Sequence, residues 1–142
     1  EEAKTKIDEI KERRKQAGRE PFRTIGMAAY VICRDTVEEA QAELERITTV
    51  DDLSGYAGFK DFTTKSELEQ KIALQDYSVS NRGLRPNLIG TPEQIAKQIL
   101  AFEEAGVDLL LLQSSPQLEE LERFSKQVMP KVEELRSELA KN

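Results

Sequence analysis

Two stretches of the chain are apolar at nearly every position, without the alternation expected of a strand that has one solvated face. They are TIGMAAYVIC, residues 24–33, and VDLLLLQ, residues 107–113, and charged or turn-forming residues border both. Strands that are buried on both faces have this composition, and they occur almost only in parallel sheets covered by helices. The chain is therefore predicted to form an α/β fold with a parallel sheet.

Helix starts follow these strands at short range. Thr36 is followed three residues later by Glu39, which is the spacing of a capping box. Thr91 is followed by Gln94 at the same spacing, with Pro92 at the first helical position. The short apolar segment NLIG precedes this second start, so it is predicted to be a third strand. Each strand is then followed by a helix, as in βα units.

Three such units are too few for a complete (β/α)₈ barrel, which has eight strands and typically ~250 residues. With 142 residues, the chain is predicted to be either a small open α/β domain or the last part of a barrel whose earlier strands are missing. The helical pattern of residues 1–17, which ends at Gly18, favours the partial barrel. We expect one partial domain over residues 1–142, with parallel neighbouring strands and the helices that start at Thr36, Thr91 and Ser115 on one side. The final helix is predicted to begin at Ser115 and to bend at Pro130.

A long irregular segment separates the first two units. Residues from about 50 to 86 contain aromatic side chains and one predicted short helix near residues 64–74. The length of this segment marks it as a functional insertion. Its last part, residues 76–86, combines two arginines with little apolar content and is predicted to be mobile.

Charge and composition exclude several classes of function. The formal net charge is −6 and the sequence pI is about 4.9, which argues against a broad surface for nucleic acid or an anionic membrane. The chain has no histidine, so it lacks the commonest general base and a usual zinc ligand, and no metal site is expected. Its single cysteine, Cys33, is predicted to be an inert core residue. No signal peptide or long apolar run is visible, and a cytoplasmic location is expected.

Three segments carry a resemblance to a known family. YVICRDTVEEA, NRGLRPNLIGTPEQIAKQIL and AGVDLLLLQSSPQLEELERFSKQVMP resemble, in order and spacing, the C-terminal part of the bacterial-luciferase-like flavin-dependent monooxygenases. The similarity is greatest to dimethyl sulfone monooxygenases and extends to the related alkanesulfonate monooxygenases. It implies a TIM (β/α)₈ barrel, of which this chain holds about three βα units, the N-terminal half of the barrel being absent.

The resemblance also implies a chemistry. Such enzymes use reduced FMN as a cosubstrate and O₂ to cleave a carbon–sulfur bond, converting dimethyl sulfone to methanesulfinate and formaldehyde. The implied partners are an NADH-dependent flavin reductase and a small organosulfur substrate, and a homo-oligomer is expected. This fragment alone is expected to be inactive, because much of the flavin site belongs to earlier strands.

Several site residues follow from the matched motifs. Arg82 corresponds to a loop arginine that alkanesulfonate monooxygenases carry over the active site, where its paired donors would hold a flavin or sulfonyl oxygen. Asn81 and Arg85 flank it in the same loop, and Arg85 is equally consistent with an ordinary surface position. Ser114 and Ser115 follow the third strand, where they would either line the pocket or cap the next helix.

Tyr30 is the second predicted catalytic residue, and it marks a departure from the alkanesulfonate enzymes. Those enzymes place arginine and histidine at the positions of Ala28 and Tyr30, and tyrosine at the position of Ser115. A sulfonate is an anion that benefits from a buried cation, whereas a neutral sulfone would leave such a cation unpaired. The departures therefore favour a sulfone. An ordinary core tyrosine is the alternative interpretation of Tyr30.

Three functions remain open at this stage. The first is a flavin-dependent monooxygenase acting on a sulfone, with an alkanesulfonate as the alternative substrate. The second is a non-catalytic α/β interaction module, which would explain the acidic surface and the absence of histidine. The third is an anion-binding domain that uses the helix starts at Thr91 and Ser115. An incomplete barrel would in addition leave one sheet face uncovered, and such a face promotes association.

Overall fold

The computed structural model describes residues 1–49 and 83–141. The predicted helix near residues 64–74 and most of the insertion lie outside the described residues, as do Asn81 and Arg82. The elements, in chain order, are α1 (Glu2–Gln16), β1 (Gly26–Cys33), α2 (Val37–Thr48), β2 (Leu88–Gly90), α3 (Pro92–Glu104), β3 (Leu109–Gln113), α4 (Gln117–Arg123), a π-helical segment (Phe124–Val128) and α5 (Met129–Leu139).

The three strands form a parallel sheet, which confirms the predicted α/β fold. Their order is β2-β1-β3, with β1 in the centre. Residues 26–30 of β1 pair with β3, and residues 31–33 pair with β2. Consecutive strands of a barrel lie side by side, so this order differs from that expected of three successive barrel strands. The physical reason is length: β1 has eight residues and can pair with both neighbours, whereas β2 has three.

The helices cover both faces of the sheet, so the prediction that they share one side is wrong. Ala29, Val31 and Cys33 point into a core with α3 and the C-terminal helices. Ile32, which alternates with them, belongs to a second cluster with Ala40 of α2. The chain leaves β1 toward one edge of the sheet and later crosses to the other, and right-handed crossovers in opposite directions put their helices on opposite faces.

The helix starts are formed as predicted. The Glu39 backbone N–H donates to Thr36 Oγ1 over 3.2 Å, and the Glu39 carboxylate accepts from the Thr36 N–H over 3.3 Å. Thr91 and Gln94 exchange the equivalent bonds at 3.4 and 3.0 Å. These reciprocal bonds satisfy backbone donors that would otherwise have no partner in the first turn.

The C-terminal helix differs from the prediction at its start and is irregular next to Pro130. It begins at Gln117 instead of Ser115, and its N-cap residue Pro116 provides no side-chain cap. Next to Pro130, the helix continues through a π-helical segment in which the Met129 N–H donates to the Phe124 carbonyl. Proline has no backbone N–H to donate to the preceding turn. The wider π turn accommodates the missing hydrogen bond, so the winding of the helix changes locally before Pro130.

One face of the sheet remains partly uncovered. Leu109 and Leu111 of β3 are 46% and 57% exposed, so the prediction that this strand is buried on both faces is wrong. Their register partners in β1 are Gly26 and Ala28, which are also exposed. Helix α2 covers the same side of the sheet only at its other end, around Ile32 and Ile89. We call the uncovered surface the open face; it consists of Gly26, Ala28, Leu109, Leu111 and Gln113.

A buried ion pair joins the end of β1 to α4. Arg34 Nη1 donates to both carboxylate oxygens of Glu120, at 2.9 and 3.0 Å, and also to the Cys33 carbonyl. The Glu120 side chain is 7% exposed. Glu43 of α2 lies 3.8 Å from the same guanidinium. Arg34 therefore connects the central strand to helices on both faces of the sheet.

Removing Glu120 leaves Arg34 with a partly buried charge and only the more distant Glu43 as a partner. We expect Glu120→Ala to lower the free energy of unfolding by about 3 kcal/mol, at the lower end of the range for a broken buried pair. Glu119→Ala is the matched control, because Glu119 is exposed in the same helical turn. The measurement is urea unfolding followed by circular dichroism. Equal midpoints for the two variants would contradict the proposed role of the ion pair.

Candidate active site

Tyr30 is the fifth of the eight residues of β1 and is half-buried. It packs against the cluster formed by Ile32, Ala40, Leu84 and Ile89. Its backbone N–H donates to the carbonyl of Gly83 over 2.8 Å. Gly83 is the residue that follows Arg82 in the sequence. The chain therefore leaves the insertion directly beside one of the two predicted catalytic residues.

The segment from Gly83 to Asn87 is well anchored. Gly83 and Asn87 both adopt a positive φ, 71° and 57°, and the Asn87 N–H donates to the Leu84 carbonyl over 2.9 Å. Leu84 is 4% exposed, and Gln98 of α3 donates to the Pro86 carbonyl over 3.2 Å. The last residues of the insertion thus make more contacts than their composition predicts.

Arg85 points away from this region. It is exposed and lines a cavity of about 460 Å³ between α1 and the start of β1, where Met27 and Val107 form part of the wall. The pKa of Glu2 in this cavity is lowered, first by its hydrogen bond to Lys6 and the charge of Lys6, and further by the charge of Arg85. Arg85 thus lies at the amino end of β1, whereas Tyr30 lies in its middle.

Ser114 and Ser115 follow β3 directly. Ser114 is half-buried and Ser115 is exposed. Within residues 1–49 and 83–141, neither hydroxyl makes a hydrogen bond, and the helix that follows has no side-chain cap. Helix capping therefore does not explain either serine in this part of the chain. Both lie at the strand end where barrel enzymes place their active-site residues.

Gln113 is a residue that the sequence reasoning missed. It is the last residue of β3 and the register partner of Tyr30 in β1. Residues paired in register project to the same face of a sheet, so Gln113 adds an amide to the face that carries Tyr30. The signal in the sequence was one polar residue at the end of the run LLLLQ. Its meaning depends on the strand register, which the sequence alone does not give.

The remaining predictions about reactive groups are simpler. Cys33 is fully buried, and burial raises the pKa of its thiol to about 11. Its Sγ lies 3.9 Å from Gln127 Oε1, to which the thiol donates. This confirms an inert core cysteine.

Among the described residues, no group of three or more acidic, cysteine or histidine side chains is arranged to hold a metal ion. In the same part of the chain, no helix is long and apolar enough to cross a membrane.

Comparison with known proteins identifies the family. Residues 1–109 match the luciferase-like monooxygenases, which covers more than half of the chain. The chain belongs to this family. The match agrees with the resemblance of the three sequence motifs and with the parallel α/β sheet.

The similar proteins of this luciferase-like family have named activities. The chain is 37% identical over 140 residues to an FMNH2-dependent dimethylsulfone monooxygenase of Pseudomonas fluorescens (strain Pf0-1), covering 93% of this chain and 38% of the relative. It is also 37% identical to the Pseudomonas putida protein of the same name, of which it covers 39%. A sulfoquinovose monooxygenase of Novosphingobium aromaticivorans is 23% identical over 125 residues, 75% of this chain and 34% of the relative. The chain thus spans less than two-fifths of the length of these relatives.

The open face is compatible with part of a flavin. Apart from Gln113 it is apolar, and the small residues Gly26 and Ala28 leave room for a ring system beside Leu109 and Leu111. None of the residues that form it is charged. It therefore suits the isoalloxazine ring and offers nothing for the phosphate of FMN.

Gly83 allows a sharp test of the contact with Tyr30. A Cβ at Gly83 would lie 3.1 Å from the Tyr30 backbone nitrogen, and the residue has a φ of +71°. Gly18 has a similar φ of +63° with nothing within 4 Å. We expect Gly18→Ala to lower the free energy of unfolding by about 1 kcal/mol, because of the backbone conformation alone. Gly83→Ala should lower it by about 2 kcal/mol or more, because the new Cβ also lies too close to the Tyr30 backbone.

Urea unfolding of the two variants measures this difference. The two substitutions are matched in chemistry and in backbone conformation, so the difference between them reports the approach to Tyr30. Equal destabilisation would show that the Gly83 contact contributes nothing to the fold.

Proposed function

We propose that this chain is part of a flavin-dependent monooxygenase that uses reduced FMN and O₂ to cleave the carbon–sulfur bond of a small sulfone. The observation that carries the proposal is the 37% identity, over 93% of the chain, to an FMNH2-dependent dimethylsulfone monooxygenase. When bound, reduced FMN supplies the electrons that activate O₂. A separate NADH-dependent flavin reductase is the proposed source of the reduced flavin.

The charge of the candidate site supports a sulfone as the substrate class. Among the described residues, the open face itself consists of neutral side chains, while Arg82, which we propose to contact the substrate, would bring a cation to it. Dimethyl sulfone has two oxygen acceptors and no net charge, so neutral hydrogen-bond donors are sufficient. An alkanesulfonate is the alternative substrate, and it would need a cation from outside this face.

Within this proposal, Arg82 and Tyr30 carry the catalytic roles. Arg82 immediately precedes Gly83, whose carbonyl is bonded to Tyr30, so the sequence connects the arginine to this part of β1. Its guanidinium would donate two parallel hydrogen bonds to a flavin or sulfonyl oxygen. Asn81 precedes it, and Ser114 and Ser115 would contribute hydroxyl donors. Arg85 would support the end of the insertion, because its side chain lines the cavity at α1.

We further propose that other barrel strands of the complete protein cover the open face. Exposed leucines on a flat sheet are an aggregation hazard when they remain uncovered. Residues 1–142 alone should therefore self-associate, and Leu111→Lys should reduce this association by placing a charge on the open face. Leu118→Lys is the matched control, since Leu118 is 69% exposed on α4, outside the open face. The measurement is light scattering; a monomeric wild-type fragment would contradict the proposal.

The function is tested in the complete natural protein that contains these residues. Reduced FMN, O₂ and dimethyl sulfone are supplied with a flavin reductase in excess, and methanesulfinate formation is measured. Turnover of methanesulfonate with no turnover of the sulfone would favour the alternative substrate. Failure to bind reduced FMN would overturn the monooxygenase proposal and favour a non-catalytic module.

Arg82→Ala tests the catalytic role. We expect it to lower the rate of sulfinate formation by ~10²-fold or more, the scale seen when a preorganised electrostatic donor is lost. Arg82→Lys should recover only part of this loss, because an ammonium group lacks the planar pair of donors. Arg23→Ala, at an exposed arginine before β1, is the matched control and should leave the rate unchanged. Full activity of Arg82→Ala would contradict the catalytic role proposed for Arg82.

A further inference from the structure

Gln113 occupies a particular place on the sheet. It ends β3 opposite Tyr30, and adjacent strands lie ~4.8 Å apart. The rest of the open face, Gly26, Ala28, Leu109 and Leu111, carries no polar side-chain atom. The two polar side chains on this side of the β1–β3 pair are therefore cross-strand neighbours. Gln113 is the last residue of β3, at the strand end where barrel enzymes bind their substrates, and its partner Tyr30 lies in the middle of β1.

The amide of Gln113 is also not engaged elsewhere. The side chain is exposed, and it makes no hydrogen bond within the described ranges 1–49 and 83–141. Other glutamines do have a structural role: Gln94 completes a capping box, and Gln98 bonds the Pro86 carbonyl. Gln113 therefore lies at the candidate site, and within the described ranges no hydrogen bond ties its side chain to the rest of the fold.

Two arginines near this end of the sheet are held in ion pairs. Arg34 is bonded to Glu120 and lies near Glu43, while Arg46 is bonded to Glu43. Arg123 also lines this surface, beside Arg34 and Asp35. The open face between β1 and β3 itself carries only neutral side chains.

We infer that Gln113 is a specificity-determining residue whose side-chain N–H donates a hydrogen bond to an oxygen of a neutral sulfone. This inference rests on the proposed function and adds to it the group that selects the sulfone. An amide donor satisfies a sulfonyl oxygen without introducing a charge. An amide stabilises a sulfonate anion less well than a cationic side chain does, because a buried anion needs an opposite charge. Gln113 therefore favours the neutral substrate.

The test compares Gln113→Leu with wild type in the complete protein, with its reductase in excess. Leucine keeps a side chain of similar size and removes the donor. We expect KM for dimethyl sulfone to rise ~10-fold, the scale of one lost hydrogen bond, with kcat within about twofold. The affinity for reduced FMN should be unchanged. Gln41→Leu, at an exposed glutamine of α2, is the matched control and should leave KM unchanged.

A second variant separates substrate selection from packing. Gln113→Lys introduces a cation at the same position and should raise the ratio of methanesulfonate to dimethyl sulfone turnover, which a structural role would not do. If wild type forms sulfinate from dimethyl sulfone and both variants retain its KM and its substrate ratio, the inference about Gln113 is wrong and the proposed function stands. If wild type forms no sulfinate from dimethyl sulfone, the proposed sulfone activity fails, and the inference fails with it.

Discussion

The pairing of β1 on both of its edges is the constraint on which the rest of the structure depends. Its first five positions, residues 26–30, bond to β3 and its last three, residues 31–33, bond to β2. Buried backbone groups need hydrogen-bond partners, and a central strand supplies them on both sides at once. Its side chains then divide between two cores, one under α2 and one under the C-terminal helices. The ion pair of Arg34 and Glu120 extends this arrangement beyond the last strand residue.

Local features of the fold could be predicted from the sequence because their causes lie within a few residues. The capping boxes at Thr36 and Thr91 depend on one side chain and its third neighbour, and both are formed. The apolar runs located the strands to within a few residues. The burial of β3 was overestimated, because an apolar strand becomes buried only when another element covers it. Within the described chain, none covers Leu109 and Leu111.

Strand order and site composition depend on distant pairings, which spacing along the chain does not encode. Arg34 and Glu120 are 86 residues apart, and no local pattern connects them. Gln113 becomes relevant only when the register places it opposite Tyr30. The sequence did indicate which residue types are absent from positions 28 and 30. Ala28 and Tyr30 are neutral, and so are the residues of the open face.

The π-helical segment at residues 124–128 adds one residue to the length of the C-terminal helix. A π turn holds one more residue than an α turn, so the segment is equivalent to a single-residue insertion. Phe124, Val128 and Val132 all reach one core because the extra residue offsets the drift of the α-helical turns around them. Deleting one residue there would return the segment to ordinary α-helical turns. Val132 would still face the core, and Arg136 would keep Glu103 on α3. A relative with a straight helix should therefore align with a one-residue gap between Arg123 and Met129.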